Sequence, residues 1–262
     1  MNNVFGNNET TKFTLISGVE AEVKALVGKH QKLLTQQTKG TKHSDRLNLM
    51  LADILVRVGS VTNITPEFIE GMLSEDRRQA LIVCRQFTMD FQKEFVYSYK
   101  YKHEGETKTF DVKVDLKEDG TFPITQMPVQ YSEYADIPMQ VFMVLPKSKV
   151  EVRFNLLTGK GERIGANVKK DQRSSHTIME MRNPVYKLVR EGKEDTWMKL
   201  PLDKVGVTDL DALRVAMKEA EGKIDTEIQF EHPLWESGEA DEQDVVVDVL
   251  NTVNFFFPSG II

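Results

Sequence analysis

The feature that most restricts how this chain can fold is a weak recurrence of its first half in its second. Leu26-Val27-Gly28-Lys29 matches Leu157-Thr158-Gly159-Lys160 at an offset of 131 residues (159 − 28). The same offset sets Ser17 on Ser148, Val19 on Val150 and Glu20 on Glu151. Further on, Ala80-Leu81 meets Ala212-Leu213 at 132 (212 − 80), and Val114-Asp115 meets Val247-Asp248 at 133 (247 − 114). Ordered matches whose offset drifts by only two residues are what duplication with small insertions leaves behind. The expectation is an α+β chain of two similar lobes, each a β-hairpin, a helical group and a closing β element. The lobes are placed at 1–122 and 139–262, joined by a proline-bearing linker at 123–138. A cut near Gln126 is then expected to leave two soluble lobes.

Local patterns fill in each half. Around the turn Ser17-Gly18, Val19, Ala21 and Val23 alternate with charged residues, as one face of a hairpin strand does. Leu47, Met50, Leu51, Ile54, Leu55 and Val58 fall at steps of three and four, which predicts one helix from Ser44 to Val58, stopped by Gly59. Thr65-Pro66-Glu67 reads as a helix start, and Ser74 as the cap of the next helix. After Asp90 the period changes to two. Phe95, Tyr97, Tyr99 and Tyr101 alternate, as do Phe110, Val112, Val114 and Leu116, with Glu104-Gly105-Glu106 between them. In the second half, Val141 to Phe154 predicts a hairpin and His176 to Met181 a helix. Thr208-Asp209-Leu210-Asp211 predicts a capping box before a helix ending at Gly222, and strands are expected near Glu227–Phe230 and Val245–Leu250.

Chemistry-bearing constellations are missing. His30, His43, His103, His176 and His232 show no metal-ligand spacing, and the single cysteine, Cys84, lies on an apolar helix face, where a thiol stays protonated and inert. No nucleophile elbow, Walker loop or dinucleotide fingerprint occurs; Gly159-Lys160-Gly161 reads as a turn leaving a strand. Hence no catalytic residue, no metal and no cofactor is expected. A net charge of −6 argues against nucleic acid as a partner, and no apolar run is long enough for a membrane helix. With one cysteine and no leader pattern at Met1–Glu9, a reducing cytoplasm is the expected setting.

What remains is surface for other proteins. Tyr97, Tyr99 and Tyr101 of the aromatic hairpin and Phe255, Phe256 and Phe257 of the apolar tail are candidate partner-binding residues, together with Arg173 and Arg182, because aromatics and arginine dominate interface energies. For the tail, a strand packed inside its own lobe is the competing reading; for the arginines, it is pairing with neighbouring carboxylates.

One constellation of residues is shared with a known group. It comprises Leu26-x-Gly28-Lys29, Leu33-Leu34, the Leu49–Val58 helix, Phe68-Ile69-x-x-Met72-Leu73 with Asp76-Arg77, and Ala80-Leu81-x-x-x-Arg85-Gln86-Phe87-Thr88. The second half adds Leu145-Pro146-Lys147-Ser148, Val152-Arg153-Phe154, Leu157-Thr158-Gly159 and the Phe-Phe-Pro-Ser ending. In these the chain resembles the baseplate hub assembly chaperones of T-even-like contractile-tailed phages. The resemblance implies a non-enzymatic role in tail assembly, with hub or baseplate proteins as partners, in the bacterial host cytoplasm. A permanent subunit of the virion tail is the alternative. Some members of that group carry a cysteine-rich, zinc-ribbon-like insertion; here Tyr97 to Leu116 holds no cysteine, which removes metal from the reading.

Overall fold

A computed structural model describes residues 9–35, 43–89, 94–117, 121–166, 175–189, 194–240, 243–251 and 253–256. It is an α+β protein with several antiparallel sheets. The first hairpin, β1 (Thr10–Thr14) and β2 (Glu20–Lys24), forms where alternation predicts it, with Val19, Ala21 and Val23 fully buried. Helices α1 (Gly28–Thr35) and α2 (His43–Ile54) follow. The predicted helix to Val58 is corrected here: Leu55–Val58 is strand β3, paired antiparallel to β2 with Val58 opposite Ala21. Apolar positions at 54, 55 and 58 suit both periods, and β-branched Val56 and Val58 meeting an open strand edge decide for the sheet.

Thr65 caps α3 (Pro66–Gly71) by accepting from the Phe68 amide, as predicted. The next helix, α4 (Ser74–Thr88), is not capped by Ser74. That residue is already helical, the cap is Leu73, and the Leu73 N–H donates to the Tyr134 hydroxyl instead. A two-residue turn, Glu104-Gly105, with both residues at positive φ, joins β4 (Glu94–His103) to β5 (Glu106–Asp115).

The stretch expected to be a linker is packed against the protein. It forms β6 (Ile124–Gln126) and a 3-10 turn at Tyr134–Asp136, and Tyr134 and Ile137 are buried. The second half then runs β7 (Gln140–Val144), β8 (Glu151–Asn155), α5 (Gly159–Ala166), α6 (Ser175–Glu180), β9 (Val185–Leu188) and β10 (Thr196–Lys199). Strands β7 to β10 make a four-stranded sheet with β7 at its edge. Gly159-Lys160-Gly161 opens a helix rather than a turn. Gly159 lies under the Arg77 guanidinium, where an added Cβ would come within 2.7 Å.

Helix α7 (Val207–Glu221) ends at Gly222 as expected, but Gly206 caps it with no side-chain bond, so the predicted capping box does not form. Short strand β11 (Lys223–Ile224) pairs with β6, and β12 (Glu227–Glu231) pairs with β13 (Asp244–Asp248) ahead of α8 (Val253–Phe256).

The two halves share one core. Phe230 of β12 packs on Tyr97, Tyr99 and Phe110 of the first-half hairpin, with ring centroids 5.3–6.4 Å apart. Phe255 meets Phe95 at 5.5 Å and Phe122 at 5.9 Å. From α4, Arg78 donates to Thr226 and Asp248, and Glu75 accepts from the Ile224 amide. These contacts run between segments on opposite sides of residue 126.

Candidate functional site

Four of the eight predicted partner residues, Tyr97, Arg182, Phe255 and Phe256, are buried in the chain itself. Phe255 and Phe256 have no exposed surface. Arg85 of α4 holds Phe255 in place: its Nε donates to the Phe255 carbonyl at 2.8 Å, and its guanidinium lies 4.9 Å from the Phe95 ring centroid and 5.0 Å from that of Phe255. Burial pulls the Arg85 pKa down to about 10, which still leaves it charged at neutral pH. Tyr97 is buried, and Tyr99 and Tyr101 lie edge-on to His232 at 5.8 Å. The aromatic hairpin is therefore partly covered by the chain's own second half, which buries Tyr97 and leaves Tyr99 and Tyr101 half-buried, because burying ring area intramolecularly is worth more than leaving it to water. Arg182 pairs with Glu221 through two bonds of 2.6–2.7 Å, as the carboxylate-pairing alternative has it. Arg173 and Phe257 lie outside the described residues.

A surface that the sequence reading passed over is the outer face of the four-stranded sheet. Phe142 on edge strand β7 is 63% exposed, packs on Trp197 at 6.0 Å, and stands opposite Arg153, whose guanidinium lies 4.5 Å from the Trp197 ring centroid. Val144, two residues along β7, is exposed on the same face. The continuous apolar run Val141–Val144 marks a strand in sequence but cannot say which of its two faces points out.

Two hairpin turns are closed by similar pairs of bonds, the second turn being one residue longer. In the first, Leu15 N–H donates to Val19 O and Gly18 N–H to Leu15 O; in the second, Leu145 N–H donates to Val150 O and Lys149 N–H to Leu145 O. Gly18 and Lys149 both have positive φ, +92° and +59°. Each turn is gripped by a carboxylate at the third residue of a 15-residue helix. Ser17 N–H donates to Asp76 of α4 at 3.0 Å; Lys147 and Ser148 N–H donate to Asp209 of α7 at 2.8 and 3.0 Å. The far ends of both helices are tied as well: Leu26 N–H donates to Thr88 Oγ1, and Leu157 N–H to Glu221 Oε1.

The surroundings of the two grips differ. Residues 128–137 run over the first. Gln130 Nε2 donates to Ile16 O, Tyr131 N–H donates to Ser17 O, and the Tyr134 ring packs on Phe68 at 5.7 Å while its hydroxyl takes the Leu73 N–H. Burial outweighs the hydrogen bonding from Ser17 and lifts the Asp76 pKa to about 6; burial beside that carboxyl also raises the pKa of Tyr134. Over the second grip lies an open cleft of about 210 Å3, lined by Leu145, Val150, Tyr186, Pro201, Gly206 and Asp209, among others. There, burial of Asp209 is outweighed by the bonds from Lys147 and Ser148, and its pKa falls below the ordinary carboxylate value.

Other titratable groups are committed to packing. His30 Nδ1 accepts from Val27 N–H and Nε2 donates to Asp53 at 2.6 Å, so both ring nitrogens are used; burial lowers its pKa despite Asp53. Burial pushes the Cys84 thiol up to about 12, the inert state expected of it. Among the described residues, no three His, Cys, Asp or Glu side chains gather to hold a metal ion, and no helix is long and apolar enough to cross a membrane. No family model, curated protein or solved structure matches the chain.

Proposed function

We propose that the chain is a non-enzymatic assembly protein of a phage contractile tail, which binds hub or baseplate subunits through two halves that arose by internal duplication. The observation that carries the binding part is the exposed Phe142–Arg153–Trp197 face, which ends at the edge strand β7. Aromatic and arginine side chains grouped on a sheet face are costly to leave in water and are the groups that dominate protein interfaces. An edge strand beside them adds main-chain donors and acceptors for a partner. The tail-assembly part rests on the resemblance carried by the residues from Leu26 to Thr88 and from Leu145 to Gly159.

Duplication is supported by element bounds and by bonds. Strand β2 maps onto β8 and α1 onto α5 at 131 (151 − 20 and 159 − 28). Helix α4 maps onto α7 at 133 (207 − 74), and the pairs Glu94–Asp115 and Glu227–Asp248 also differ by 133. The helix register thus sets Ala80 on Leu213, one residue away from the Ala80-Leu81 match in the sequence. The Ser17–Asp76 and Ser148–Asp209 bonds fall on these offsets, as do Leu26–Thr88 and Leu157–Glu221. Such side-chain-to-backbone ties are not required by any α+β fold, so their repetition in the same order, each tie spanning two residues more in the second half, favours common descent.

Affinity capture with the tagged chain from phage-infected cells tests the function. Hub or baseplate proteins are expected to co-purify, and Phe142→Asp is expected to reduce their recovery at least about tenfold, as loss of a central interface residue does. Recovery of no tail protein would sink the proposal. Stoichiometric presence of the chain in mature particles, read by mass spectrometry, would replace the chaperone role by the permanent-subunit alternative.

A further inference from the structure

The cleft above α7 has a filled counterpart in the same molecule, and the comparison identifies what would fit it. In the first half the ring of Tyr134 sits among Phe68, Leu73 and Asp76, with its hydroxyl on the Leu73 N–H. Shifted by 133, these residues are Pro201, Gly206 and Asp209, and all three line the open cleft. Ser148 and Val150, the counterparts of Ser17 and Val19 at 131, form another wall together with Leu145, which bonds to Val150 as Leu15 bonds to Val19. Gly206 is the helix cap as Leu73 is, and among the described residues its N–H has no acceptor. A volume near 210 Å3 is below the roughly 300–1,000 Å3 of sites for drug-sized ligands and suits one large side chain.

We infer that this cleft is a binding site for a tyrosine side chain presented by a partner protein, its ring against Pro201 and Val150 and its hydroxyl accepting from Gly206 N–H. A neutral phenol suits the site better than an anion, because the Asp209 carboxylate lies beside the cap. Only the ring end of the first-half arrangement is copied. A Cβ on Gly18 would come within 2.9 Å of Gln130 and of the Tyr131 amide, and at the matching position Lys149 carries a side chain. Lys149 therefore bars a partner strand from lying across the second turn as residues 130–131 lie across the first, and the tyrosine enters from the side of Pro201–Gly206. The inference rests on the correspondence between the halves, not on the partner being a tail protein.

The test is a titration of the full chain with the acetylated, amidated peptide Ser-Glu-Tyr-Ala-Asp-Ile-Pro, the sequence of residues 132–138, followed by amide NMR. Saturable shifts are expected at Gly206, Ser148 and Tyr186. Replacing the peptide tyrosine by phenylalanine removes the acceptor and should weaken binding about five- to tenfold. Gly206→Pro should do the same, since φ −63° already suits proline and only the N–H is lost, whereas Gly206→Ala should stay within about twofold. Equal affinity for both peptides, or shifts confined to Phe68 and Leu73 around the first-half site, would refute the cleft as a tyrosine site. Self-association of the chain abolished by Gly206→Pro would replace the partner with a second copy and overturn the proposal as stated. None of these outcomes bears on the infected-cell capture, so failure of the site and failure of the tail-assembly reading are separately visible.

Discussion

Asp76 and Asp209 stand at the third residue of helices of equal length and each holds the turn of a hairpin, yet their ionisation is driven in opposite directions. The helix, the turn and the donor from Ser17 or Ser148 are common to both. What differs is the cover. Residues 128–137 shut the first grip away from water, and burial penalises the charged carboxylate more than one amide donor favours it. The second has two amide donors and an open cleft, and there the donors win. The same local motif is thus a buried acid under a cover in one half and a buried carboxylate, held by two amides beside an open cleft, in the other.

The most severe way to break this comparison is to cut the chain between Gln126 and Met127. Two soluble lobes are the expectation from the recurrence alone, but the cut leaves Phe230 and Phe255 on one piece and their partners Tyr99 and Phe95 on the other. Each piece alone is expected to aggregate or to lack a cooperative unfolding transition, and the two to co-purify when co-expressed. Size-exclusion chromatography and near-UV circular dichroism read both outcomes, and two monodisperse, independently folded pieces would restore the picture of separate lobes.

Next in size is the cover itself. Tyr134→Ala empties the first cleft and should cost about 3–5 kcal/mol in denaturant unfolding, as removal of a buried aromatic ring does. Tyr134→Phe keeps the ring but leaves the Leu73 N–H unsatisfied and should cost about 1–3 kcal/mol. If both variants match the wild type, the ring does not seal the first grip.

The carboxylates give the sharpest contrast. The Asp76 pKa of about 6 lies above its unfolded value of 3.8, so the native chain holds a proton that the unfolded chain releases. Its contribution is complete below pH 3.8 and is lost as pH rises through about 6, a difference of about 3 kcal/mol. Asp76→Asn, which keeps an oxygen for the Ser17 amide, should therefore raise stability at pH 8 and flatten the dependence between pH 4 and 7. Asp209 behaves oppositely. Its depressed pKa stabilises the fold above the ordinary carboxylate range and that stabilisation is lost in acid. Asp209→Asn should lower stability at neutral pH, by a smaller amount. Urea titrations at several pH values separate the two, and changes of the same sign in both variants would show that cover does not decide the protonation state.

The position of most elements was legible in the sequence, because period-two and period-3.6 patterns are local. Val19–Val23, Phe95–Tyr101 and Thr65-Pro66-Glu67 are examples, and each forms as its pattern predicts. Two errors came where local signals are degenerate. Leu55–Val58 continues a helical stripe and also reads as a strand, and Ser74 and Thr208 look like caps while the carboxylates at 76 and 209 serve the turns instead. The burial of Tyr97, Phe255 and Arg182 has a different reason. Tyr97, Phe255 and Arg182 have the chemistry of an interface, but apolar area has no address in sequence, and the nearest surface to bury it on was in the same chain. The Phe142–Trp197 face was missed by the same argument reversed.

By itself, the sequence determined the α+β class and the places of most hairpins and helices along the chain, since these depend on neighbours a few residues apart. Only the tertiary structure decided that the halves are interlocked, which aromatic face is spent inside and which is left outside, and that one grip is sealed while its counterpart stays open. Those outcomes depend on contacts across more than a hundred residues, such as Arg85 with Phe255 and Arg78 with Asp248, whose partners no local pattern names.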